Sequence, residues 1–175
     1  MITLKIFIAF FFIICTKSIA QENEYIVTIT NDTIYGKITR TLNILIKPEV
    51  NYKIRDANGN NKLINPAEIK LIRSIDVVDG DCFITTIYNE FYIKRIINGK
   101  IQVYQLVDGV LFFTSKDGSE ISFTDFGGFN KREDGLNNIR PLIEDDPIIL
   151  KEFNSMIGSQ NNIIDMIQKY NDSAK

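Results

Sequence analysis

The chain has 175 residues, 45% of them hydrophobic, which is enough for one domain with a sizeable core. Its formal net charge of −2 argues against nucleic acid, which requires a basic face, and gives no reason to expect anionic lipid as a partner. The chain has no histidine, so the most common acid–base residue of enzymes is absent.

Residues 1–20 have the pattern of a secretory signal peptide. Lys5 supplies the positive region, residues 6–15 form an apolar run, and Ser18-Ile19-Ala20 is a small-x-small cleavage site. The apolar run is shorter than the roughly 20 residues that span a bilayer. The sequence therefore predicts export of a mature chain, residues 21–175, that has no transmembrane span and is periplasmic, outer-membrane-associated or secreted.

Cleavage after Ala20 leaves Cys82 as the single cysteine, so an internal disulfide is excluded. Bulky Ile13 and Ile14 disfavour lipid attachment at Cys15, because that signal needs small residues before the cysteine. Cys82 opens an apolar strand-like run and is interpreted as a small buried hydrophobe rather than a reactive thiol.

Residues 25–30 and 33–40 predict a first β-hairpin with Asn31-Asp32 as its turn. This hairpin is expected to cover one face of the sheet that follows. Gly36 lies inside the second strand, where glycine indicates a bulge or a close approach of another backbone segment.

Residues 42–46 and 51–56 predict short strands, followed by a polar loop. Asp56, Asn58 and Asn60 occupy the first three ligand positions of an EF-hand calcium loop. Asn61 and Ala67 then stand where that motif requires glycine and glutamate. A hairpin loop is therefore favoured over a calcium site.

Asn65 and Pro66 predict a single helical turn, with Asn65 as the cap and Pro66 at the first position. Strands are expected at residues 70–78 and 82–89. Asp76, Asp79 and Asp81 surround the turn between these strands; they could hold a hard cation, but exposed turn aspartates are the more common case.

Residues 90–124 organise the chain, because they predict four consecutive antiparallel strands. Asn98-Gly99 and Asp108-Gly109 are typical of two-residue hairpin loops, in which both positions take positive φ. Such loops place Tyr104 opposite both Ile93 and Phe113. Because side chains alternate between faces, both faces of this meander are apolar, and each needs a cover.

Residues 127–138 are glycine-rich and charged, and they are interpreted as a loop from the sheet to the helices. Asp146-Pro147 marks a clear helix start. A second helix is expected at about residues 161–171, with Asp165 and Lys169 as a surface pair. The resulting helical hairpin is predicted to cover the second face. A membrane-seeking helix is disfavoured because the polar faces lack Lys/Arg enrichment.

The predicted fold class is therefore α+β and β-rich: an antiparallel meander, partly open barrel or sandwich of about 8–10 strands with a C-terminal helical hairpin. The signal peptide covers residues 1–20, the β domain residues 21–126 and the loop residues 127–138. The helical segment, residues 139–175, is expected to pack on the sheet within the same domain.

Four short motifs lie along the chain: an early "GDTIxGKI"-like hairpin, a "pxeIk"-like turn, a central "GKIxLY"-like hairpin and an acidic-Pro helix start, at residues 32–38, 66–70, 98–104 and 146–147. In these motifs the chain resembles secreted β-rich proteins found in Bacteroidota-type bacteria. The resemblance implies a location in the cell envelope and a regular fold. It implies no particular chemistry.

The sequence favours an exported, non-catalytic domain that binds or supports a component of the bacterial cell envelope, with an envelope protein as the expected partner. It identifies no catalytic, cofactor-binding or metal-binding residue and no cofactor. Two alternatives remain open: a small β-barrel that binds an apolar ligand in a cavity, and a hydrolase that uses two carboxylates about 5–10 Å apart.

Overall fold

A computed structural model describes residues 23–43, 49–76, 78–127 and 132–174. The predicted signal peptide and Cys15 lie outside these ranges. Among the helices within them, none has the length and apolar character needed to cross a bilayer.

The described residues form eleven strands, one short 3-10 turn and three helices. The strands are β1 (Tyr25–Thr28), β2 (Thr33–Tyr35), β3 (Lys37–Asn43), β4 (Glu49–Arg55), β5 (Asn61–Leu63), β6 (Ile69–Ser74), β7 (Cys82–Ile87), β8 (Phe91–Ile97), β9 (Ile101–Leu106), β10 (Phe112–Lys116) and β11 (Ser122–Phe123). The 3-10 turn is Pro66–Glu68, and the helices are α1 (Arg132–Ile143), α2 (Pro147–Ser155) and α3 (Gln160–Ser173).

The strands build two antiparallel sheets. The larger has the order β11-β10-β9-β8-β7-β6-β1-β2, and the smaller has the order β3-β4-β5. Strands β11 and β2 are the two edges of the large sheet and do not pair with each other, so it does not close into a barrel. The predicted β-rich α+β class is confirmed.

The four-strand meander is confirmed as β8 to β11, and the register of its second hairpin is correct, with Tyr104 opposite Phe113. The register of its first hairpin was predicted wrongly, because Ile93 lies opposite Leu106. Neither Asn98 nor Gly99 adopts positive φ. The cross-strand pair nearest the turn is Ile97 and Val103, so the loop is longer than two residues, and the register of β8 shifts between Arg95 and Ile97.

The chain passes from the large sheet to the small one at Gly36. A Cβ at this position would lie 2.3 Å from the carbonyl oxygen of Arg55, so the predicted close backbone approach is confirmed. The prediction that the first hairpin is a separate cover was wrong: β1 and β2 join the large sheet through β6. The cover is the small sheet that begins with β3.

One face of the large sheet has two covers side by side. The three helices cover the end near β8, β9 and β10, where Ile101, Val103 and Phe112 are buried against them. The small sheet covers the other end, where Tyr92 and Ile84 share a core with Tyr52. The two covers were expected on opposite faces, and they lie on the same one.

The described part of the chain places no separate cover on the opposite face, whose apolar side chains pack on one another. Ile93, Tyr104 and Phe113 on this face are only 0%, 8% and 4% exposed. They form a small core with Ile87, against which Ile121 packs. Neither face of the meander is therefore bare to solvent.

Three helices follow the sheet, where a hairpin of two was predicted. Helix α1 begins at Arg132, within the segment predicted to be a loop, and buries Ile139 and Ile143. Its apolar positions were obscured by neighbouring asparagines and by Gly135 and Pro141, which are poor helix formers. The predicted start of α2 is confirmed, because Asp146 accepts hydrogen bonds from the N–H groups of two first-turn residues.

Candidate binding groove

The polar loop that partly matches a calcium motif is a hairpin turn held by its own backbone. The Asp56 carboxylate accepts hydrogen bonds of 2.9 Å from the N–H groups of both Asn58 and Asn60. The hydrogen bonds from the backbone and the side chain of Asn60, together with that from Asn58, lower the pKa of Asp56. The predicted hairpin loop is confirmed, and the side chains of the motif serve the turn.

The three aspartates around the β6–β7 turn have different partners. Asp76 accepts from the N–H of Val78 at 2.8 Å, Asp81 pairs with Arg73, and Asp79 is buried. Within the described ranges, no group of three or more acidic, cysteine or histidine side chains could hold a metal ion.

Asp79 belongs to a buried polar network between the two sheets. Its carboxylate accepts hydrogen bonds of 2.8 Å from both Arg40 and the Tyr52 hydroxyl. Arg40 also pairs with Asp108 in the β9–β10 turn. Burial and the adjacent Asp79 carboxylate raise the pKa of Tyr52 well above its usual range. Both charges are paired and inaccessible, so this network joins the sheets rather than forming a site.

The core-facing cysteine is equally inaccessible. Cys82 is buried with the Ile84 and Tyr92 cluster, which confirms its interpretation as a small hydrophobe. Burial and the nearby Asp79 carboxylate raise the pKa of the thiol to about 11. A protonated, buried thiol is a poor nucleophile.

A concavity on the curled face of the large sheet is accessible to solvent. It has a volume of about 320 Å³, is partly open to solvent, and is lined by Val27, Lys70, Leu71, Phe83, Ile84, Thr85, Arg95, Tyr104 and Ile121. We call it the binding groove. Val27 in β1 and Ile121 beside β11 both line it, although flat strands in these positions would lie about 29 Å apart. The sheet therefore curls around the groove.

A row of aromatic and arginine side chains crosses this face, one from each strand of the large sheet. We call it the cross-strand ladder. Neighbours in the row are cross-strand partners or are in ring contact, and in strand order the row is Tyr35, Tyr25, Arg73, Phe83, Arg95, Tyr104, Phe113 and Phe123.

The centre of the ladder lies in the groove. The guanidinium carbon of Arg95 is 4.6 Å from the centroid of the Phe83 ring, and that of Arg73 is 4.9 Å from it. Such cation–π contacts hold a guanidinium plane in position. Tyr104 completes the centre, and its hydroxyl donates to the side-chain oxygen of Gln102.

The groove is positively charged in a chain of negative net charge. Its described lining includes Lys70 and Arg95 and no carboxylate. Lys70 donates to the neutral side chain of Asn31 at 3.1 Å. The described lining therefore offers apolar surface and positive charge, and no pair of carboxylates.

No protein-family model matches the chain, and the searches of curated proteins and of solved structures found no match to it.

The groove was not predicted from the sequence. Tyr104 and Phe113 were placed on one face, and that part of the ladder is confirmed. The remainder depends on the pairing of β1 with β6, whose strands are about 40 residues apart in the chain, and on the curl of the sheet. The positions of turn residues in the sequence predict neither this long-range pairing nor the curl. The succession of an arginine, an aromatic residue and an arginine in β6, β7 and β8 could have indicated the ladder.

Proposed function

We propose that this chain is an exported, non-catalytic binding domain of a bacterial cell envelope, and that the binding groove is its ligand site. The observation that carries the proposal is the groove itself. Apolar side chains form most of its lining and a few polar groups converge on it, which is the usual composition of a small-molecule site.

The envelope location rests on the signal-peptide pattern of residues 1–20 and on the motifs that resemble secreted proteins of Bacteroidota-type bacteria. Fractionation of cells that express the full chain tests it. Export predicts a processed protein outside the cytoplasm, and an unprocessed cytoplasmic protein would contradict this part of the proposal.

Binding is favoured over hydrolysis because of the residues that reach the groove. A carboxylate-dependent hydrolase needs two carboxyl groups facing one substrate. The described lining offers Thr85, Tyr104, Lys70 and Arg95 as polar groups, and none of them is a carboxyl group.

The neutral fluorescent dye N-phenyl-1-naphthylamine tests the groove directly, because its emission rises in apolar sites. We expect saturable binding to the purified protein. Leu71→Trp adds a large ring to the groove lining and should abolish binding. Ile148→Trp adds the same ring on the surface of α2, where Ile148 is 78% exposed, and should leave binding unchanged.

Two results would contradict the proposal. One is the absence of saturable dye binding to the wild-type protein. The other is equal binding by the wild-type and Leu71→Trp proteins, which would place the dye elsewhere.

A further inference from the structure

The groove contains a guanidinium group, that of Arg95, which makes no ion pair and no hydrogen bond with the residues that the structure describes. The ion pairs among the described residues involve other cations, namely Arg40, Arg73, Lys100, Lys116 and Lys169. The recorded contact of the Arg95 guanidinium is with the face of the Phe83 ring. Arg95 is nevertheless half-buried, so its charge is partly removed from water.

The two arginines on Phe83 differ in their electrostatic state. Arg73 pairs with Asp81 and also donates to the Ser74 carbonyl oxygen at 3.1 Å, so its charge is compensated. No described carboxylate does this for Arg95. Partial burial of an uncompensated charge is unfavourable, and an anion that entered the groove would relieve that cost.

The geometry of Arg95 suits recognition of a planar anion. A guanidinium group has five N–H donors in a fixed fork that matches the two oxygens of a carboxylate. Its 4.6 Å contact with the Phe83 ring takes up no hydrogen-bond acceptor of the protein, so its N–H groups can donate to a ligand. Leu71, Val27 and Ile121 supply the apolar surface beside it.

We propose that the binding groove selects a small free anion with an apolar body, and that Arg95 binds the anionic group. This inference rests on the proposed function and names the ligand class for the same site. The volume of about 320 Å³ is near the lower limit of small-molecule sites, so one compact ligand fills it.

A single-stranded nucleic acid is the rival ligand, since aromatic side chains and arginine also bind stacked bases and phosphates. Such sites form a basic channel along several nucleotides. Here Asp81 neutralises one of the two ladder arginines, and the groove has the size of one small molecule. The small anion is therefore favoured.

Two dyes with the same ring system distinguish the contribution of the anionic charge to binding from that of the apolar rings. The anionic dye is 1-anilinonaphthalene-8-sulfonate, and N-phenyl-1-naphthylamine lacks its sulfonate group. We expect the wild-type protein to bind the anionic dye about tenfold more tightly, the order expected of one charge-assisted hydrogen bond. Added salt should weaken binding of the anionic dye and should leave binding of the neutral dye unchanged.

Arg95→Gln should remove that preference, so that both dyes bind with similar affinity. Arg95→Lys keeps the charge and should retain part of the preference. Arg55→Gln is the matched control, because Arg55 is an exposed arginine on β4 outside the groove. It should leave both affinities unchanged, and equal urea midpoints would show that the variants are folded.

An unchanged preference in Arg95→Gln would overturn the charge assignment and leave the groove proposal standing. Displacement of the anionic dye by a short oligothymidine at lower concentration than by a small aromatic carboxylate would overturn the choice of ligand class. If neither dye binds, or if Leu71→Trp has no effect on binding, the proposed function fails together with this inference.

Discussion

Asn171 in helix α3 satisfies both backbone groups of Ile101 at the start of β9. Its side-chain nitrogen donates to the Ile101 carbonyl oxygen at 2.8 Å, and its side-chain oxygen accepts from the Ile101 N–H at 2.8 Å. These contacts are buried and join residues 70 positions apart in the sequence. The Asn171 side-chain amide thus makes the two hydrogen bonds that the backbone of a neighbouring strand would make, and it holds the last helix on the sheet.

Asn171→Ala should destabilise the protein by about 3 kcal/mol, because it leaves a buried N–H and a buried carbonyl group without partners. Urea unfolding measures this loss. The control is Asn161→Ala, an exposed position of the same helix, which should change the free energy of unfolding by less than about 0.5 kcal/mol. Equal losses in the two variants would contradict the assigned role of Asn171.

Gly99→Ala should also be destabilising, for a reason that depends on Asn171. A Cβ at position 99 would lie 2.4 Å from the side-chain carbon of Asn171 and would displace the amide from Ile101. The effect should be about 1–3 kcal/mol in the wild-type background. It should be clearly smaller in the Asn171→Ala background, where the clashing amide is absent. Additive losses in a double-mutant cycle would show that the two residues act independently.

The buried Asp79 network should be the most sensitive polar contact between the two sheets. Asp79→Ala leaves Arg40, whose side chain is 9% exposed, without its closest buried partner, and a loss of about 3–5 kcal/mol is expected. Tyr52→Phe keeps the ion pair and removes one hydrogen bond to a charged group, which should cost about 2 kcal/mol. Thermal or urea unfolding of both variants measures the difference. A larger loss in Tyr52→Phe than in Asp79→Ala would contradict this order.

Local signals predicted the features of the fold that depend on neighbouring residues. Asn65 caps the single turn that begins at Pro66, and Asp146 caps α2, because short polar side chains and proline determine helix starts within a few residues. Gly36 marks a close approach because no side chain fits beside the Arg55 carbonyl. These constraints can be read without knowing the tertiary structure.

Features that depend on distant pairing were not predictable in this way. Lys169 pairs with Glu152 of α2 and not with Asp165, because helix packing determines which side chains meet. Consecutive residues with positive φ occur at Tyr88-Asn89 and at Asp117-Gly118, whereas neither residue of the Asn98-Gly99 loop has positive φ. Ile101, which follows that loop, is bound to Asn171 of α3, so contacts from outside the hairpin act at this turn. The binding groove likewise depends on distant pairing, because it forms only when the large sheet curls.

Asp145 should make stability depend on pH in the acidic range. Hydrogen bonds from Lys100, Lys116 and the Tyr170 hydroxyl hold its pKa far below the ordinary value of 3.8. A carboxyl group whose pKa is lowered by folding stabilises the folded state above its unfolded pKa. That contribution is lost as the pH falls from about 4 towards the lowered folded value.

The Asp145→Asn variant lacks this carboxyl group, so the pH-dependent contribution is absent from it. The difference in unfolding free energy between wild type and Asp145→Asn should be constant from pH 7 to pH 5 and should shrink below pH 4. Urea unfolding at pH 7, 5 and 3 in low salt measures it. Because Asp145 is 44% exposed, added salt should reduce the difference at pH 7. A difference that persists unchanged at pH 3 would rule out the contribution of these ionic contacts.

Cys82 should resist alkylation in the folded protein at pH 7.5. Its pKa of about 11 leaves very little thiolate at that pH, and burial beneath the small sheet blocks access to the sulfur. We expect iodoacetamide to react slowly with the native protein and rapidly with the same protein in urea. Asp79→Ala loosens the neighbouring contacts between the sheets, so native-state alkylation should be faster in that variant. Rapid alkylation of the wild-type native protein would contradict the packing of Cys82, because it requires the thiol to reach solvent.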